Sequence, residues 1–195
     1  MGPEVLSAWL LGVMLASMPP GKFTTPPEAV EPEAETRARY QALATALAEV
    51  VLDPEERSLY PGPDGRRHTA ALMLSLAYHE SGYRRDIDLG IGKKDRAGRQ
   101  YWCVMQVGVD KGKTAEGWTG PELIADRHRC FRSALHKLQQ TRGSCRAQGG
   151  DAWLRSYAAG DCTRGAKPAA QRIATFRRWL GIHPFPPPPA TPASQ

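Results

Sequence analysis

The run His68-Thr69-Ala70-Ala71-Leu72-Met73-Leu74-Ser75-Leu76-Ala77-Tyr78-His79-Glu80 decides how this chain is read. It is apolar almost throughout, carries no Pro or Gly, and is rich in Ala, Leu and Met, so it predicts a buried helix. Thr69 is placed to cap its start and Gly82 to end it. On such a helix Glu80 stands over Ala77, Leu76 and Met73, the residues three, four and seven positions back. That is the greasy face of the helix. A carboxylate there is costly to keep ionised. A carboxyl held neutral near physiological pH is the proton donor that glycosidic cleavage requires. The plain alternative is a glutamate at a fraying helix end, looking at water or bonding nearby backbone.

Toward the N-terminus, Pro61-Gly62-Pro63-Asp64-Gly65 and Asp53-Pro54 are turn signals leading into this helix. From about Ala34 to Leu52, Tyr40, Leu43, Leu47 and Val50-Val51 recur at helical spacing and predict a scaffold helix. Residues 23–35, with Thr24-Thr25-Pro26-Pro27 and Glu31-Pro32-Glu33, read as a linker. Residues 1–22 hold an apolar run, Val5 to Met18, stopped by Pro19-Pro20-Gly21. It is either a helix packed on the domain or an export signal. As a signal it is imperfect: Glu4 precedes it, no Lys or Arg does, and Ala16-Ser17-Met18 lacks a small residue next to the cleavage point.

Toward the C-terminus, Arg84 to Gln100 is polar and Gly-punctuated and predicts a surface loop on the rim of a cleft. Asp86 and Asp88 there lack the ligand pattern of a calcium loop, and no metal site is expected. Tyr101-Trp102-Cys103-Val104-Met105-Gln106-Val107 is a short extended or irregular segment. Gln106 within it belongs either to a site or to a structural network, because a buried amide needs partners. Trp118, in the loop from Asp110 to Gly120, is read as a staple over the core rather than a sugar platform. A helix from Pro121 to about Thr141, ended by Gly143, buries Leu123, Ile124, Phe131, Leu135 and Leu138 and turns Arg127, Arg129, Arg132 and Lys137 outward. Ala152 to Ala159 predicts a short helix closed by Gly160. Pro168 to Leu180 predicts a last one, with Arg172, Arg177 and Arg178 as its polar side. Residues 183–195 form a proline-rich tail.

The fold class is therefore mainly α, with one short irregular or β segment between helical halves. The 195 residues suffice for one domain, at 36–182, plus tails. Net charge is +6 and the pI about 9.3, which favours polyanionic surroundings. No basic run exceeds two residues and the tryptophans sit on separate elements, so no nucleic-acid partner is expected. No stretch is long and apolar enough for a stable membrane span. Cys103, Cys130, Cys145 and Cys162 match no zinc spacing; the even count suggests two disulfides and an oxidising compartment, against four buried free thiols. A helix unbroken from Cys130 to Thr141 puts its ends ~16 Å apart, and four more residues retrace at most ~13 Å. Cys130–Cys145 is therefore disfavoured. Cys103–Cys130 with Cys145–Cys162, or Cys103–Cys145 with Cys130–Cys162, both stay open.

Three segments carry the chemistry in order: Glu80-Ser81-Gly82-Tyr83, then Cys103-Val104-Met105-Gln106-Val107, then Ser156-Tyr157-Ala158-Ala159-Gly160. Together they resemble the soluble lytic transglycosylase family, which shares a lysozyme-like fold with goose-type lysozymes and whose pattern is Glu-Ser, Gly-Leu-Met-Gln and Ala-Tyr-Asn-Ala-Gly. The resemblance covers about Arg66 to Leu180. It departs at Cys103 for Gly, Val104 for Leu, Ser156 for Ala and Ala158 for Asn.

The resemblance implies Glu80 as catalytic acid and then base, and a substrate-binding set of Ser81 beside it, Met105 and Gln106 in the cleft, and Tyr157 orienting the glutamate. It implies cleavage of the bond from N-acetylmuramic acid to N-acetylglucosamine in peptidoglycan, with 1,6-anhydromuramyl products and no metal or cofactor. A monomer acting on glycan strands in the cell envelope, periplasm or extracellular space is expected. Hydrolysis on the same fold and a catalytically silent wall-binding module are the alternatives. A second carboxylate, which hydrolysis normally uses, would come from Asp86, Asp88 or Asp161.

Overall fold

The computed structural model describes residues 2–91, 95 and 98–187. Parts of the loop expected before Gln100 (residues 92–94 and 96–97) and the end of the proline-rich tail (188–195) lie outside the described residues. The architecture is mainly helical with one small sheet. The helices are α1 (Pro3–Ser17), α2 (Glu33–Leu52), α3 (Gly65–Ser81), α4 (Arg85–Asp88), α5 (Gly120–Ala125), α6 (Arg127–Ser144), α7 (Ala152–Ala159) and α8 (Ala166–Ile182). Strands β1 (Gln100–Trp102) and β2 (Val107–Val109) stand between α4 and α5.

Helix α3 is the centre. Every residue from Thr69 to Ala77 is buried, as befits a helix apolar on all sides. It packs on α1, α2 and α8. Gly82 closes it in the left-handed conformation (φ 58°), which costs glycine nothing. The expected start at Thr69 is corrected. The helix begins a turn earlier, at Gly65, because the turn before it ends at Asp64. Thr69 is instead a buried strut: its hydroxyl donates to the Gly65 carbonyl (2.9 Å) and accepts from the Leu59 N–H (2.9 Å).

The apolar N-terminal run forms α1 and packs on α2, with Leu6, Leu10, Val13 and Met14 buried on one stripe. Trp9 donates its indole N–H to the His183 carbonyl (2.8 Å) and packs its ring, tilted by 40°, against Phe185 at 4.4 Å, so α1 also touches the end of α8. The segment between α1 and α2 is irregular but anchored: Pro27–Ala29 makes a 3₁₀ turn, and Glu31 takes a forked ion pair from Arg39. No helix among the described residues is long and apolar enough to cross a membrane.

The helix expected from Pro121 to Thr141 is two helices. Asp126 breaks it with extended backbone (φ −125°, ψ 100°), and its carboxylate accepts from the His128 N–H (3.0 Å), capping α6. A short acidic side chain competes for backbone donors in this way and so favours helix starts. Gly143 does not end α6, which runs on to Ser144. Likewise α8 passes through Gly181 to Ile182.

Two expected solvated faces are corrected. Arg127 turns inward and grips Asp88 with both ends of its guanidinium (2.7 and 2.8 Å), while Arg39 approaches the same carboxylate at 3.6 Å. Asp88 is fully buried and Asp86 nearly so, the latter paired with Arg84. This polar cluster locks α2, α4 and α6 together. The Asp86–Asp88 segment is thus a buried helical turn rather than an exposed loop. Two disulfides form, Cys103–Cys130 and Cys145–Cys162.

Candidate active site

β1 and β2 pair antiparallel in the register Gln100↔Val109, Tyr101↔Gly108, Trp102↔Val107. The connecting turn, Cys103 to Gln106, has two non-glycine residues in the left-handed region, Cys103 (φ 58°) and Gln106 (φ 50°). Such positions cost a few kcal/mol at most and persist where the surroundings over-determine them. Here Cys103 is tied covalently to Cys130 on α6 and buried, and the Gln106 N–H bonds the Cys103 carbonyl (3.0 Å). The turn therefore holds Met105 and Gln106 against the helical body.

A cleft of about 1440 Å³ opens between this hairpin, the following loop, one face of α6 and the end of α7. Its walls include Glu80, Met105, Gln106 and Tyr157. Pockets for drug-sized ligands measure roughly 300–1,000 Å³, so this one has room for an extended polymer segment. Four of the five expected site residues are brought together. Ser81 is not: it is 3% exposed, its hydroxyl donates to the Ala77 carbonyl (2.8 Å) and accepts from the Tyr83 N–H (3.0 Å). It is a helix-end lock that turns the chain behind Glu80.

Glu80 is the penultimate residue of α3, its side chain 21% exposed at the cleft. The apolar floor beneath it is as expected, since Ala77, Leu76 and Met73 are buried. Its surroundings are not apolar alone. Arg172 of α8 donates from Nη2 to Glu80 Oε1 at 2.5 Å. Arg172 is itself 8% exposed, so its assignment to the polar side of α8 is corrected. It shares a buried stripe with Ala169, Thr175, Phe176 and Trp179.

Tyr157 comes from α7 and lines the same cleft. Its hydroxyl donates to the Met105 carbonyl (3.1 Å), so any orienting of Glu80 by this phenol is not through that bond. Burial, then the Glu80 charge, push that phenol far above its ordinary range, against the pull of Arg172. It therefore stays a neutral donor that clamps α7 to the hairpin turn beside Glu80. Gln106 Nε2 bonds the Cys103 carbonyl (3.3 Å) within its own turn.

None of the three carboxylates expected as partners of Glu80 serves. Asp86 and Asp88 are consumed by arginines. Asp161, which does not line the cleft although Gly160 next to it does, accepts from the Thr163 N–H and hydroxyl and from the Arg164 N–H, which pull its carboxyl down to about 2. The cleft lining instead includes Asp110 and Glu116, and sequence patterns missed Glu116 because it lies in an irregular loop. Ser133 donates to its Oε2 (2.7 Å) and His136 Nδ1 faces Oε1 (3.2 Å). Burial opposes its charge, but hydrogen bonds from Ser133, its own N–H, Thr114 and His136 prevail and hold the carboxyl below its ordinary value. Trp118 packs against the core, with Arg129 5.6 Å over its ring, in keeping with the staple reading.

Arg99, Lys111, Lys113 and Lys137 also line the cleft, one basic residue more than its three carboxylates, Glu80, Asp110 and Glu116. No protein-family model, curated protein or solved structure matches this chain.

Proposed function

We propose that the protein is a peptidoglycan lytic transglycosylase in which Glu80 is the acid and base. The observation that carries this is the convergence of Glu80, Met105, Gln106 and Tyr157, from three separate stretches of chain, on one polymer-sized cleft. In this reaction the Glu80 carboxyl protonates the oxygen between N-acetylmuramic acid and N-acetylglucosamine, and the glycosidic bond breaks. The substrate's own acetamido group steadies the positive charge that develops on the sugar ring. The Glu80 carboxylate then takes the proton from the muramyl 6-hydroxyl, whose oxygen closes onto the anomeric carbon. The product is a 1,6-anhydro end, and Glu80 returns to its starting state. The chain's basic balance, net charge +6, suits an anionic wall polymer. Such a substrate places the working protein in the envelope, periplasm or extracellular space, where two disulfides persist.

A hydrolytic muramidase is the second reading, favoured by one observation: besides Glu80 the cleft is lined by Glu116, whose carboxyl is held in its charged form. Mass analysis of muropeptides released from purified sacculi tests both. Glu80→Gln is expected to abolish release, with product formation down at least 10²-fold, in keeping with the weight of a positioned acid–base group (~10²–10⁴-fold). Wild-type products lighter by one water than hydrolytic ones support transglycosylation. Fully hydrated ends point to the muramidase. Undiminished release by Glu80→Gln overturns both.

A further inference from the structure

The ion pair behind Glu80 joins residues 92 positions apart, and it is not built for stability. Arg172 is buried, and its Nε–H has no hydrogen-bond partner. A buried donor left without an acceptor forfeits its hydration with nothing in return. A buried ion pair is commonly no better for the fold than apolar residues of the same volume. An Arg on the inner stripe of α8, among Thr175, Phe176 and Trp179, is therefore a cost that packing does not explain.

What it does is geometric. Its backbone carbonyl accepts from the Ser75 hydroxyl of α3 (2.8 Å), and one turn later Thr175 Oγ1 meets His79 Nε2 (2.9 Å). α8 is thus stitched to α3 on the same side as Glu80, and the guanidinium is presented from a fixed backbone. It engages Oε1 only. The adjacent imidazole does not compete as a second cation: burial, with Arg172 and Arg178 nearby, holds His79 below its ordinary value.

We propose that Arg172 is a positioning residue for the cleavage reaction, pinning Glu80 by Oε1 so that Oε2 is the atom that gives and takes the proton in the cleft. This rests on the proposed chemistry at Glu80. A carboxyl free to turn about its terminal bond presents either oxygen in many poses; one oxygen tethered at 2.5 Å presents the other in one. Misplacement of a reacting group by about 1 Å costs on the order of 10²-fold in rate.

The test compares wild type with Arg172→Met, Arg172→Ala, Arg172→Lys and Glu80→Gln on soluble, uncrosslinked wall glycan, with thermal unfolding of each variant. Arg172→Met fills the volume without the charge. Its kcat is expected to fall on the order of 10²-fold with KM within about twofold, the pattern of a lost orientation rather than lost binding. Arg172→Lys is expected to recover part of the rate. Guanidinium ion at millimolar concentration is expected to recover part of the rate of Arg172→Ala. Guanidinium denatures, so it cannot restore a merely misfolded variant. If Arg172→Met keeps kcat within twofold, or if neither lysine nor guanidinium restores any rate to a folded variant, the positioning role is wrong while Glu80 chemistry stands. If Glu80→Gln leaves cleavage intact, the reaction falls and the role of Arg172 in it falls too.

Discussion

Glu80, Arg172 and Tyr157 show how one side chain acquires a setting that its neighbours in sequence do not provide. Glu80 has the apolar floor that the helix pattern predicts, yet its nearest charged group comes from α8, and its aromatic neighbour from α7 bonds Met105 instead. Glu116, another lining residue of the cleft, makes the same point. Its carboxyl is lower in the fold than its ordinary value of 4.5, chiefly through the donors that outweigh its burial. A depressed carboxyl stabilises the fold above its unfolded pKa, and that contribution disappears as pH falls through the lower folded value. Glu116→Gln is therefore expected to melt below wild type at pH 7, with the difference shrinking steadily from pH 4.5 downward. Thermal unfolding across pH 2–7 checks this, and a difference that is constant with pH would contradict it.

At the scale of elements, the hairpin β1–β2 is the least self-sufficient part of the site. Two strands of three residues each do not hold themselves together in water. Cys103–Cys130 fastens its turn to α6, and Cys145–Cys162 fastens the end of α6 to the chain just after α7. The bridges close stretches with sequence separations of 27 and 17 residues. On chain-entropy grounds each is worth roughly 3 kcal/mol. A paired Cys103→Ser, Cys130→Ser variant is expected to lose about that much in urea unfolding. It is also expected to lose wall cleavage more than the Cys145→Ser, Cys162→Ser pair, because its turn carries Met105 and Gln106. Equal activity in the two pairs would mean that the hairpin needs no tether.

For the whole molecule, the first helix matters more than its position at the chain's start suggests. Leu6, Leu10, Val13 and Met14 belong to the same core as α2 and α3, and Trp9 reaches the end of α8. Leu10 is fully buried, and Leu10→Ala is expected to cost about 2–5 kcal/mol of stability by the usual cavity penalty. Chemical denaturation measures it; a loss below about 0.5 kcal/mol would show that α1 is not part of the cooperative fold.

Local pattern was enough for most helices. α2, α7 and α8 are legible in the spacing of their apolar residues, because burial of a helix face leaves a repeat in the sequence, and α3 is legible as an unbroken apolar run because it is buried on all sides. The meeting of Glu80, Met105, Gln106 and Tyr157 was legible only through motif order. Pairing was not legible: Arg127 and Arg172 read as outward charges because an ion pair depends on two partners far apart in the chain. Glu116 carried no signal at all, since a loop has no periodicity. The amino-acid order by itself determined that the chain is helical and that an acid stands over an apolar floor near the end of its central helix. The packing of α8 and α6 decided which charges that acid and its cleft would meet, because electrostatic partners are chosen by distance in space, which chain order does not encode.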